Sequence, residues 1–90
     1  MSGSYEVLLS ATAHRNLDRL PVAVASAVLE LVFGDLAAQP HRLGKRLGGD
    51  YEGQWSARRG QYRVVYDIDD EKRVVRVVAV GHRRDVYRRR

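Results

Sequence analysis

From Trp55 to Tyr87 the chain reads WSARRGQYRVVYDIDDEKRVVRVVAVGHRRDVY. Two segments rich in Val and Tyr alternate apolar and polar residues and are joined by the acidic run Asp69-Asp70-Glu71. Alternation with period two is the pattern of half-buried β-strands, so this stretch predicts an antiparallel hairpin around which the rest must pack. ARRGQYR and GHRRDVY frame it. They concentrate Arg, His and Tyr where such a sheet ends, which suits a surface that handles phosphate or RNA.

The preceding chain supplies one more strand and two helices. Tyr5 to Leu9 is short and β-favouring, and its partner lies far along the chain. Ser10 or Thr12 can cap a helix. Ala13, Leu17 and Leu20 give that helix one apolar stripe. His14 falls on its polar side and reads as a surface histidine. Pro21 ends the first helix and starts the second, from Val22 to Gln39. The second helix is apolar around most of its circumference, so it asks for cover on more than one side, a partner chain included. His41 to Gly49 reads as a basic, Gly-rich loop without P-loop spacing.

Strands are expected at Tyr51 to Arg58, Gln61 to Ile68 and Arg73 to Val80, with Gly81 releasing the chain into a short helix or extended tail from Asp85 to Arg90. The fold class is therefore α+β, in the order β-α-α-β-β-β plus a short C-terminal helix. The sheet is antiparallel, partly mixed and four-stranded, with an N-terminal helical hairpin on one face. Ninety residues make one domain, 1–90.

Composition narrows the chemistry. The net charge is +5, 14 of the 16 cations are Arg, and five of those lie in the last eight residues. Arginine suits bidentate phosphate contacts and stacking. There is no cysteine, which excludes disulfides and thiol nucleophiles. The start MSGSYEV has no signal-peptide pattern. No stretch suits a membrane span, and a cytoplasmic protein is expected. Asp69, Asp70 and Glu71 read as a solvated turn, and neither a metal nor a cofactor is expected.

Strand phase places Trp55, Ala57, Tyr62, Val64, Tyr66 and Ile68 under the helices and sends Arg58, Arg63, Val65 and Asp67 to the other face. A cation in mid-strand needs a role or a partner, and Asp67 is the available partner for Arg63. His82 is the acid/base candidate because it alone in its cluster titrates near neutrality without help. Such a cluster suits RNA cleavage in which the RNA's own 2′-hydroxyl attacks the adjacent phosphate while guanidinium groups stabilise the phosphorane.

The segments SATAHRNLDRLP, PHRLGKRLGGDYEGQWSARRGQYRVVYDIDDEK and VVAVGHRRDVYR together resemble the RelE/ParE superfamily of bacterial toxins, within it the RelE branch, over nearly the whole chain. The resemblance implies a RelE-like, microbial-RNase-like fold and a ribosome-dependent endoribonuclease that cuts mRNA in the 70S A site and leaves a 2′,3′-cyclic phosphate. It implies a cognate antitoxin that wraps the toxin, blocks its site and carries the pair to operator DNA. By the same resemblance Arg63 stabilises the transition state, Arg83 supports the leaving group, Tyr87 positions the substrate and Arg58 lies near the phosphate. Lys45, Arg46, Arg59, Arg84 and Arg88 are expected along the RNA. Where well-studied members place two lysines, one the presumed base, this chain has Gln54 and Ser56. His82, Glu52 or Lys45 is left to supply the base, with His82 favoured over Glu52. The alternatives are a ParE-like gyrase inhibitor and a catalytically weak toxin that mainly binds its antitoxin.

Overall fold

The computed structural model describes residues 4–87. Five strands form one sheet in the order β1-β5-β4-β3-β2: β1 (Glu6–Leu9), β2 (Lys45–Arg46), β3 (Trp55–Arg59), β4 (Tyr62–Asp69) and β5 (Val74–His82). β1 runs parallel to β5, and the other pairs are antiparallel. The far-off partner expected for the first strand is therefore β5, and the sheet is mixed as the sequence implies.

Five differences from the sequence reading matter for the site. The fifth strand, β2, lies in the expected loop; two residues are too few for alternation to register. A short helix, α3 (Pro40–Leu43), precedes it. Residues 51–54 are not strand, because a 3₁₀ turn at Gly49–Tyr51 and the left-handed Gly53 (φ 92°) hold the chain out of the sheet until Trp55. Gly81 does not release the chain: it pairs with Arg63, and His82 pairs with Tyr62. Where the expected helix or tail from Asp85 begins, residues 83–87 form a turn, with Asp85 N–H and Val86 N–H both donating to His82 C=O; its remainder, 88–90, lies outside the described residues.

The helices follow their sequence signals. Ser10 caps α1 (Ala11–Asp18), its Oγ accepting from Ala13 N–H at 3.0 Å and donating to Val78 C=O at 2.8 Å. One hydroxyl thus satisfies a helix end and fastens α1 to β5. Asn16 fixes the same helix further along, its Oδ1 accepting from Val80 N–H at 2.9 Å. α2 (Val22–Leu31) continues through a π-helical turn, Val32–Leu36, and buries Val28, Val32 and Leu36. It leaves Val22 and Phe33 exposed, so the sheet covers one side of this apolar helix and not the other.

The core lies between these helices and the sheet face carrying Ala57, Val64, Tyr66, Val75, Val77 and Val80. Val77 and Val80 differ by an odd number of positions yet share this face. A register shift allows it: Val65 pairs with Ala79 and Tyr66 with Val77, leaving Val78 as a bulge. Tyr66 is fully buried and its hydroxyl donates to Pro40 C=O at 2.7 Å. Burial pushes that phenol up to about 12. Gly44 makes this packing possible, since a Cβ there would collide with the Tyr66 hydroxyl and lie 2.7 Å from Ser56 C=O.

Among the described residues no helix is long and apolar enough to cross a membrane.

Candidate functional site

Strand register builds the site. Arg58 lies directly opposite Arg63, and Arg63 opposite Gly81, so the face away from the helices carries a row Arg58–Arg63–Gly81 across β3, β4 and β5. Gly60, at φ 61°, makes the β3–β4 turn. Beyond β5, Arg83 N–H donates to Gln61 C=O at 2.8 Å and folds the following turn back against that hairpin. Val86 then lies over Gly81, where an added Cβ would sit 3.4 Å from its Cα. The outcome is an open cleft of about 480 Å³ lined by Arg58, Gly60, Gln61, Arg63 and Arg83.

The electrostatics of this cleft are not those of a resting structural network. Like charges directly opposite on neighbouring strands repel. The acid available to Arg63, Asp67, instead accepts from Arg76 Nη2 at 3.1 Å. Arg63 Nε is buried and has no hydrogen-bond partner, and the same holds for Ser56 Oγ on the same face. Buried donors without acceptors cost stability unless something else supplies the acceptor. Three guanidinium groups with an unspent buried N–H are set up to receive an anion with several oxygens, and a phosphate diester is of that kind.

The remaining sequence candidates distribute as follows. Tyr87 stands apart from the cleft lining, its C=O accepting from Tyr51 O–H at 2.5 Å and its ring edge-on to Tyr51 at 5.3 Å. Lys45 pairs with Ser56, so register puts it on the arginine face one row away. Arg46 pairs with Trp55 on the opposite face, its guanidinium 5.8 Å from the indole centroid. Arg59 pairs with Tyr62 and also belongs to the helix-facing side. Arg84 is exposed beyond β5, and Arg88 lies outside the described residues.

His82 is not brought to the cleft. It closes β5 opposite Tyr62 and lines a separate hollow beside α1. Its Nδ1 accepts from Arg84 N–H at 3.2 Å, which assigns the proton of the neutral ring to Nε2, 3.2 Å from Gln61 Oε1. Both nitrogens are engaged, and the one-residue extension of the strand past Gly81 is what turns the ring away. Gln61 and Asn16 were missed by sequence reasoning. Nothing marks Gln61. Asn16 carries a signal, since an Asn inside a helix usually needs a partner elsewhere.

A family model described as ParE toxin of type II toxin-antitoxin system, parDE, matches residues 7–87. Two curated proteins of Mycobacterium tuberculosis (strain ATCC 25618 / H37Rv) are similar along almost the entire chain. Toxin RelE is 52% identical over 84 residues, 93% of this chain and 87% of that toxin. Toxin RelG is 48% identical over 85 residues, 94% and 98% respectively. A chain in the crystal structure of the M. tuberculosis toxin-antitoxin complex RelBE2 superposes with a TM-score of 0.85 at 46% identity, covering 88% of this chain and 98% of that one. A small mixed sheet under a helical hairpin, matched in this way, defines a toxin of the type II toxin–antitoxin class. The chain belongs to the RelE/ParE superfamily, and within it is RelE-like.

Proposed function

We propose that the protein is a ribosome-dependent mRNA endoribonuclease that cuts in the A site without a metal ion and so inhibits translation. The observation that carries this reading is the convergence of Arg58, Arg63 and Arg83 on one cleft with Arg63 Nε buried and unpartnered. In the proposed reaction the 2′-oxygen attacks the adjacent phosphorus, the P–O5′ bond breaks, and a 2′,3′-cyclic phosphate and a 5′-hydroxyl are left. The dianionic phosphorane forms where Arg63 and Arg58 can bond its equatorial oxygens. Arg83, at the cleft's other wall, stabilises the departing 5′-oxygen, which takes its proton from solvent water, and Tyr87 positions the substrate from the side.

A base must take the 2′-hydroxyl proton, and guanidinium groups stay charged. With His82 in the neighbouring hollow and bonded at both nitrogens, we assign the base to Lys45, the amine that register puts on the arginine face.

We infer a cognate antitoxin partner, because relatives are found in complexes of this kind, RelBE2 among them. An acidic antitoxin segment would occupy the cleft of a +5 chain, and operator DNA would be reached through the antitoxin. Action on ribosomes places the protein in the cytoplasm. Gyrase poisoning is the second reading, favoured by the ParE name of the matching family model. Primer extension on mRNA from translating ribosomes, beside a supercoiling assay, separates the two. A-site ends lost in Arg63→Ala and Arg83→Ala support cleavage, and gyrase inhibition without ends supports the alternative.

A further inference from the structure

A second hollow, larger than the arginine cleft at about 870 Å³, lies between α1 and the end of β5. Arg15 on α1 and Arg19, the residue that ends the helix one turn later, both line it. Among the described residues Arg15 Nη2 bonds only Thr12 Oγ1, at 3.2 Å, and against the two guanidinium groups the lining sets a single carboxylate, Asp85. Asn16 spends its Oδ1 on Val80 N–H, so its NH₂ is the group it has left to offer. Tyr62 and His82 add two rings, edge to face with centroids 5.6 Å apart. Guanidinium groups for a phosphate beside aromatic surface for a base are what single-stranded RNA binds.

The hollow and the cleft share a wall. Gln61 accepts Arg83 N–H on its backbone oxygen and holds His82 Nε2 on its side chain, so consecutive residues of the same turn line the two sites. A strand leaving the cleft past Arg83 meets His82 next.

We propose that this hollow is a second RNA subsite, which takes the nucleotide flanking the scissile linkage. Its phosphate lies between Arg15 and Arg19 and its base against Tyr62 and His82. The inference rests on the ribonuclease reading of the cleft. It gives His82 a binding role in place of an acid/base one.

The test is an NMR titration of the whole protein with 2′-O-methyl RNA, which is not cleaved, as a dinucleotide and as a pentanucleotide. The pentanucleotide should move the ring resonances of Tyr62 and His82 upfield, and the dinucleotide should not. Arg15→Ala/Arg19→Ala should weaken pentanucleotide binding roughly tenfold, about one charge-assisted hydrogen bond. Arg42→Ala/Lys72→Ala, which removes equal charge from exposed positions outside both sites, should change it by less than about twofold, as general screening allows. Equal losses in the two double variants, or unmoved ring signals, would overturn the subsite. Ring shifts as expected from a protein that leaves mRNA intact on ribosomes would instead sink the cleavage reading, and with it the place beside a scissile linkage, and leave only an RNA-binding hollow.

Discussion

Arg58 and Arg63 face each other across β3 and β4 with no carboxylate between them, because Asp67 is held by Arg76. The sheet carries this repulsion in its folded state. Replacing Arg58 with Ala should therefore raise stability by about 0.2–1 kcal/mol while reducing cleavage. Thermal unfolding and ribosomal cleavage of the same variant check both halves. A variant less stable than wild type would show that the pair is not strained.

The proton acceptor can be tested by variant order. Lys45→Ala should slow single-turnover cleavage on the ribosome on the order of 10²-fold, more than His82→Ala does. If Lys45 acts as base, the rate should climb with pH in the wild type and lose that slope in the variant. A larger loss in His82→Ala, with a flattened pH profile, would return the role to the histidine.

Gly44 and Tyr66 make a close contact that tolerates little change. Gly44→Ala must push the Tyr66 hydroxyl off Pro40 and should cost about 1–3 kcal/mol. Tyr66→Phe leaves Pro40 C=O buried without its donor and should cost about 1–3 kcal/mol. Denaturant unfolding measures both, and a neutral Gly44→Ala would contradict the packing described.

At the other end of the sheet Asp70 accepts from Tyr5 O–H at 2.7 Å and contacts His41 Nε2 at 3.1 Å. The Tyr5 hydrogen bond, helped by His41, holds the Asp70 carboxyl below its ordinary value. A depressed folded value stabilises above the unfolded pKa and is lost as pH falls through the folded one. The melting temperature should fall on acidification below the ordinary carboxylate range, about pH 4. Asp70→Asn should remove part of that fall, and an unchanged acid limb would contradict the contact.

Much of the fold is legible in the sequence because its signals are local. Alternation marks β3, β4 and β5, Ser10 marks the helix start, and Pro21 marks the break between helices. β2 is not legible, since two residues carry no period and the pair forms only because β3 offers an edge. The bulge at Val78 is not legible either, and it decides the phase of the last strand. At the cleft, Arg58 and Arg63 follow from phase alone. Arg83 needs the turn that Gln61 C=O fixes, which is a tertiary fact. The placement of His82 outside the cleft is not legible because Gly81 reads as a strand end, whereas it pairs with Arg63 and carries the ladder one residue further.

Three guanidinium groups in one cleft are proposed to cut mRNA held on the ribosome. Primer extension across mRNA from ribosomes translating with the purified protein, wild type beside Arg63→Ala, measures this. New 5′ ends should appear within A-site codons for wild type and fall by on the order of 10²- to 10³-fold in the variant. Intact message at saturating wild-type protein, or undiminished ends with Arg63→Ala, would contradict it.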